Sequence, residues 1–297
     1  MSIQTYIKTN TTSLAGKKVC ITGATGGLGR ELCLYLASLG ASLVLVNRSE
    51  SKAKALEAEI TEKYPMTPIT HVLCDLVDMD DVRLAAAEIR KAGIDALIHN
   101  AGAYAIPRYK CKTGFGNVFQ IDFLSPYYLT RELLPDLKTR PGARVIAVGS
   151  VAHNYSKTDD SDIDFSKRTA SSKVYGNAKR YLMYSMYELF RDKNEVGDVR
   201  LAIVHPGITF TNITAHYPPW LFAIIKYPMK IIFPRVKKAA LSILRGMFED
   251  CGYHEWIGPR IFDVWGYPKK RRLRTVSEEE SRKIGDTASK IYENLLK

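Results

Sequence analysis

The chain has 297 residues, 46% hydrophobic and 25% charged, enough for one globular domain of enzyme size. Its formal charge of +12 and pI near 9.4 favour anionic partners, but the densest basic run, 269–274, lacks the interleaved aromatics of a single-strand binder. That run reads as a solvated basic turn, and no nucleic acid is expected. Five cysteines without a C-x-x-C pair or a Cys/His cluster argue against a disulfide framework and against a zinc site, so no metal is expected. Residues 1–16 form a polar, Thr- and Ser-rich N-terminal extension without the charged start and apolar stretch of a secretory signal, so a cytoplasmic chain is expected.

Short apolar or β-branched runs at 19–22, 43–46, 72–73, 96–98, 145–148 and 201–204 predict six strands. Helical periodicity between them predicts helices over 28–39, 51–64, 78–91, 115–137 and 174–191. This alternation is that of βαβ units, and the fold class is α/β: a doubly wound parallel sheet of Rossmann type with helices on both faces. After Pro206-Gly207 the pattern changes, and 217–233 is dominated by aromatic and branched apolar residues. A helix over 236–249, a short strand at 261–264 and a last helix over 277–296 complete a single domain spanning 17–297.

Thr22-Gly23-Ala24-Thr25-Gly26-Gly27-Leu28-Gly29 follows the first strand and opens a helix. Glycines there let the backbone approach a pyrophosphate, while free N–H groups and the positive end of the helix dipole favour the anion. Gly23, Thr25, Gly26, Gly27, Leu28 and Gly29 are therefore candidate cofactor contacts. Where an NAD site usually holds an acidic residue for the ribose hydroxyls, at the end of the second strand, this chain has Asn47-Arg48-Ser49. Arg48 suits a 2′-phosphate instead, so NADP(H) is favoured over NAD(H), with Arg30 a second candidate cation.

Tyr175 and Lys179 lie four apart and project from one face of their helix. A neighbouring ammonium favours the phenolate and is expected to lower the tyrosine pKa, making Tyr175 an acid in carbonyl reduction and a base in alcohol oxidation. Ser150 falls at the carboxyl end of the fifth strand, where open α/β sheets place ligands, and its hydroxyl suits the reacting oxygen.

With the spacing T-G-x-x-x-G-x-G, these motifs resemble the short-chain dehydrogenase/reductase family in its single-domain branch, over nearly the whole chain from Gly16. In family order come Asp75-Leu76 at the adenine-contacting position, Asn100-Ala101-Gly102, Gly149-Ser150, Tyr175-x-x-x-Lys179, and Pro206-Gly207 with Thr211. The resemblance implies that Lys179 also holds the nicotinamide ribose. It further implies that Pro206, Gly207 and Thr211 carry the nicotinamide amide end and that 212–235 is a C-terminal substrate lid. The implied activity is NADP(H)-dependent interconversion of a carbonyl and an alcohol by hydride transfer. One position departs from the family. An Asn commonly supports a water-linked proton relay to the lysine, but here the residue is Asp122, which accepts hydrogen bonds and cannot donate them when ionised. Retained but altered activity is expected.

The apolar lid suits a hydrophobic carbonyl or alcohol, and Ser150-Val151-Ala152-His153 followed by a long lid looks most like the retinol-dehydrogenase-like members. Interrupted by Lys226, Pro228 and Lys230, segment 217–233 lacks the roughly 20 apolar residues of a membrane span. With Arg235, Lys237 and Lys238 nearby it fits peripheral contact with an anionic membrane surface. His99, His153 and His205 lack metal-site spacing and read as structural or solvent-facing, with His153 the one placed to face a substrate mouth. The rival reading is a non-catalytic NADP(H)-binding regulator, which would keep the glycine turn and lose Ser150, Tyr175 and Lys179. Self-association into a homo-oligomer is left open.

Overall fold

The computed structural model describes residues 1–207 and 236–296, and its strands form one eight-stranded sheet. In chain order they are β1 (Lys18–Thr22), β2 (Ser42–Asn47), β3 (Ile69–Leu73), β4 (Ala96–His99), β5 (Arg144–Val148), β6 (Arg200–Val204), β7 (Glu255–Ile261) and β8 (Trp265–Arg272). Across the sheet the order is β3-β2-β1-β4-β5-β6-β7-β8, parallel throughout except for the antiparallel β7–β8 pair. Residues of β4 and β5 are buried without exception because helices cover both faces, which is why these strands read as unbroken apolar runs.

One face carries the helices Gly27–Ser38 and Val236–Gly246, with Leu32, Leu36, Leu241 and Leu244 in its core. The other carries Met79–Ala92, Ser125–Leu137, Ser171–Leu189 and the last helix, Glu278–Leu295. Chain order reverses at β1, whose neighbours are β2 on one side and β4 on the other. That reversal opens a crevice beyond the carboxyl ends of the strands, and it positions the candidate site.

Three expectations need correction. The helix predicted over 115–137 is broken: a short α segment (Asn117–Phe119) passes into a π-helical turn (Gln120–Leu124) before Ser125–Leu137. Pro126 has no N–H to return to the Asp122 carbonyl four residues back, so the regular ladder cannot continue there. The strand predicted at 261–264 is instead a turn, with Phe262 and Asp263 at φ 48° and 57°, between β7 and β8. Finally, Lys269, Lys270, Arg271 and Arg272 lie in β8 and not in a basic turn. β8 is an edge strand, where charges reach water and no apolar run is needed. Arg271 pairs there with Asp263, and Lys270 approaches Glu255 at 3.6 Å.

Residues 1–16 contain a helix, Ile3–Asn10, capped by Ser2. Its buried Tyr6 stacks on Tyr267 of β8 with ring centroids 4.8 Å apart.

Candidate active site

A cleft of about 610 Å³ opens at the chain reversal, within the usual range for small-molecule and cofactor sites. Its floor is the glycine turn. Gly23 has φ +66°, and a Cβ there would stand 2.9 Å from Ala101 Cα. A Cβ on Gly29 would stand 2.4 Å from the Gly23 carbonyl oxygen, so helix and turn close on one another only with glycine. Gly26 caps the helix Gly27–Ser38 without a side chain, which leaves the first N–H groups of the helix to an anion. These features fit a dinucleotide pyrophosphate.

Neighbouring strands hold the turn in place. Asn47 Oδ1 accepts from the Thr25 N–H at 3.1 Å, and Asn100 Nδ2 donates to the Thr22 and Gly23 carbonyls at 3.1 and 3.0 Å. Thr25, Gly26, Gly27, Leu28, Asp75, Leu76, Asn100, Ala101 and Gly102 all line the cleft with Gly23 and Gly29. Arg48 lines it as well, three-quarters exposed and 3.9 Å from Asp75. Arg30 does not join it, because its guanidinium binds Glu59 and, at 2.7 Å, Glu31. Lys52 does line it and was missed by sequence reasoning. Its signal was its place four residues beyond Arg48, in the first turn of the helix Glu50–Lys63.

Against Gly102 of the cleft lies a buried ion pair. Lys179 Nζ stands 3.1 Å from Asp122 Oδ1, with 2% and 0% of the side chains exposed. Nζ also donates to the Val148 carbonyl at 2.9 Å, and Asp122 Oδ2 accepts from the Ala103 N–H at 3.0 Å. The pair sits directly beneath Gly102, where a Cβ would stand 2.7 Å from Asp122 Oδ1. Tyr175 is half-buried, its ring edge-on to cleft-lining Tyr104 with centroids 5.3 Å apart and 5.7 Å from Lys179 Nζ. Ser150 caps the 3₁₀ turn Val151–Asn154 by accepting from the Ala152 N–H at 3.2 Å.

Electrostatics around this pair differ from the sequence expectation. Burial raises the Tyr175 pKa, and although Lys179 and a hydrogen bond with Ser150 oppose the rise, Asp122 adds to it and the net direction is upward. Burial also raises the Asp122 carboxyl, against Lys179 and the Ala103 N–H. For Lys179 burial works downward, but Asp122 and Tyr175 outweigh it and the ammonium is held above its ordinary pKa. The expected lowering of Tyr175 by Lys179 is thus one contribution among several, and it is outweighed.

Pro206 and Gly207 follow β6, with Gly207 at φ +86° against Pro259. Thr211 and the segment 212–235, expected to be a substrate lid, lie outside the described residues. His99, His153 and His205 are all buried, and His153 turns inward to Ser150 O and Thr275 in place of a substrate mouth. Burial depresses their pKa values, to about 4 for His153 and about 3 for His99 and His205. Below the unfolded value near 6.5 the unfolded chain gains protons that the folded chain refuses, so stability falls as pH drops from about 6.5 toward 4 and 3. Each histidine contributes a slope of at most about 1.4 kcal/mol per pH unit. Urea midpoints measured from pH 7 to pH 4 should decline accordingly, and a flat series would contradict the burial of these rings.

Comparison with known proteins identifies the family and the fold. The family model described as short chain dehydrogenase matches residues 17–221. Human polyprenol dehydrogenase (Homo sapiens) is 30% identical over 203 residues, covering 66% of this chain and 62% of that protein. Retinol dehydrogenase 12 of Homo sapiens is 30% identical over 266 residues, covering 83% and 81%. The chain spans 62% of the length of polyprenol dehydrogenase and of human retinol dehydrogenase 13. Among solved structures, an uncharacterized protein from Mycobacterium Paratuberculosis superposes with a TM-score of 0.77 at 25% identity over 96% of both chains. The NADPH-dependent 3-quinuclidinone reductase from Rhodotorula Rubra, 19% identical, shares the fold with a TM-score of 0.61 over 80% of this chain and 86% of its own. The chain belongs to the short-chain dehydrogenase family and resembles its retinol dehydrogenases.

Proposed function

We propose that this protein is an NADP(H)-dependent oxidoreductase that interconverts a carbonyl and an alcohol on a hydrophobic substrate. The observation that carries the reading is the adjacency of Tyr175 and Lys179 to one another and of Lys179 to Gly102, which lines the same cleft as Arg48 and Lys52. Bound NADP(H) would supply or accept the hydride. Tyr175 holds the transferable proton at its phenolic oxygen, and its raised pKa keeps it a neutral donor at pH 7, as carbonyl reduction requires. Ser150 orients the reacting oxygen. Lys179, which donates to the Val148 carbonyl and is ion-paired with Asp122, keeps donor capacity for a ribose hydroxyl. Relatives named for a polyprenol and for retinol support an apolar alcohol or its carbonyl as substrate.

The test is nicotinamide fluorescence with NADPH and NADH, followed by turnover of a panel of aldehydes, ketones and alcohols that includes long-chain apolar ones. Tighter NADH binding, or NADPH binding with no turnover across the panel, would sink the reading. Arg48→Gln is expected to weaken NADPH binding about 10-fold, the low end for a charge-assisted contact at an exposed site, and to leave NADH binding within about twofold. Equal losses for both cofactors would remove Arg48 from phosphate recognition. Peripheral membrane contact through 217–233, outside the described residues, belongs to the same proposal. Among the described residues no helix is long and apolar enough to cross a membrane.

A further inference from the structure

Ser150 and Tyr175 must be held against one another for the proposed chemistry, yet they sit on separate pieces of chain: the turn Val151–Asn154 and the helix Ser171–Leu189. Backbone meets side of helix where the two touch. A Cβ on Gly176 would stand 2.2 Å from the Ala152 carbonyl oxygen, so the turn rests there only because residue 176 is glycine. Contact of that kind has no directional bond to keep it closed.

Arg180 and His153 supply the bonds. Arg180, 3% exposed, donates from Nη1 to the His153 carbonyl at 2.8 Å and from Nε and Nη2 to Glu280 Oε1 at 2.9 and 2.7 Å. His153 meets Ser150 O through Nδ1 at 2.6 Å and the Thr275 hydroxyl through Nε2 at 3.0 Å. A carbonyl oxygen only accepts, so Nδ1 carries the proton and the Thr275 hydroxyl donates to Nε2. The Tyr184 hydroxyl, 3.4 Å from Thr275 Oγ1, donates in turn. Thr275 and Glu280 belong to the C-terminal segment and do not line the cleft.

We propose that Thr275 and Glu280 are positioning residues: they form a C-terminal clamp that fixes the Ser150 turn against the helix bearing Tyr175 and Lys179, acting through His153 and Arg180. The clamp's effect on turnover rests on the oxidoreductase reading, whereas its effect on the backbone does not.

Hydrogen–deuterium exchange and steady-state kinetics test it with Glu280→Ala, Thr275→Val and Glu280→Gln, the last keeping an acceptor for Arg180. In Glu280→Ala the amides of residues 151–155 should exchange at least about 10-fold faster than in the unaltered protein, and Glu280→Gln should restore most of the protection. With a substrate in hand, kcat should fall about 10-fold or more while the KM for NADPH moves less than about 3-fold, because the glycine turn is untouched. Unchanged exchange in a folded Glu280→Ala protein overturns the clamp, and so does faster exchange with unchanged kcat. Should Glu280→Ala fail to fold, Thr275→Val carries the same comparison, since it removes one hydroxyl and no charge. An unaltered protein that binds NADPH and turns over nothing defeats the oxidoreductase reading instead, and the clamp is then decided by exchange alone.

Discussion

Replacing Tyr175 by Phe is expected to lower kcat by about 10²–10⁴-fold while NADPH binding stays within a few-fold of the unaltered protein. Phe lacks only the phenolic oxygen, so the ring keeps its edge-on contact with Tyr104 and its packing beside Val118, Phe165 and Val174. What disappears is the proton donor. The raised Tyr175 pKa adds a sign to the pH behaviour of the unaltered protein. Reduction needs the neutral phenol and should hold its rate through neutral pH, whereas oxidation needs the phenolate and should climb as pH rises into the alkaline range. Circular dichroism would establish that the Phe variant is folded. Turnover within about 10-fold of the unaltered protein would then remove Tyr175 from the acid–base role.

The parts legible in the sequence were those that local chemistry dictates. Strands β1, β4 and β5 are buried on both faces and so carry continuous apolar runs. The glycine turn must hold Gly23 and Gly29 because any Cβ there would meet backbone. Where the deciding neighbours are distant in sequence, the reading failed. Arg30 looked free for a cofactor, but its partner Glu59 lies on the next helix. β8 carries cations where a strand pattern would show apolar residues, and it forms because β7 offers an edge. The direction of the Tyr175 shift depends on how deeply helix and sheet bury the phenol and on the Asp122 charge beneath Gly102, neither of which follows from a spacing of four residues.

Lys179→Met should cost about 3–5 kcal/mol of stability, because it strands the Asp122 carboxylate in a site with none of its surface exposed. Met approximates the length and apolar stem of lysine, so the loss reports the charge and not a cavity. Adding Asp122→Asn to that variant should recover a large share, since no buried ion is then left without a partner. Proton linkage gives a second signature. Burial already raises Asp122, and without the opposing Lys179 ammonium it rises further, so the Lys179→Met deficit relative to the unaltered protein should be largest at neutral pH and shrink as acid protonates the carboxyl. Asp122→Asn alone removes a charge that raises Tyr175, so the rising limb of alcohol oxidation should move to lower pH. Urea midpoints at pH 7 and pH 5 for both single variants and the double variant, with pH–rate profiles for Asp122→Asn, decide the matter. Additive losses in the double variant would mean that the Asp122 carboxylate does not anchor Lys179, and an oxidation limb that does not move would mean that it does not tune Tyr175.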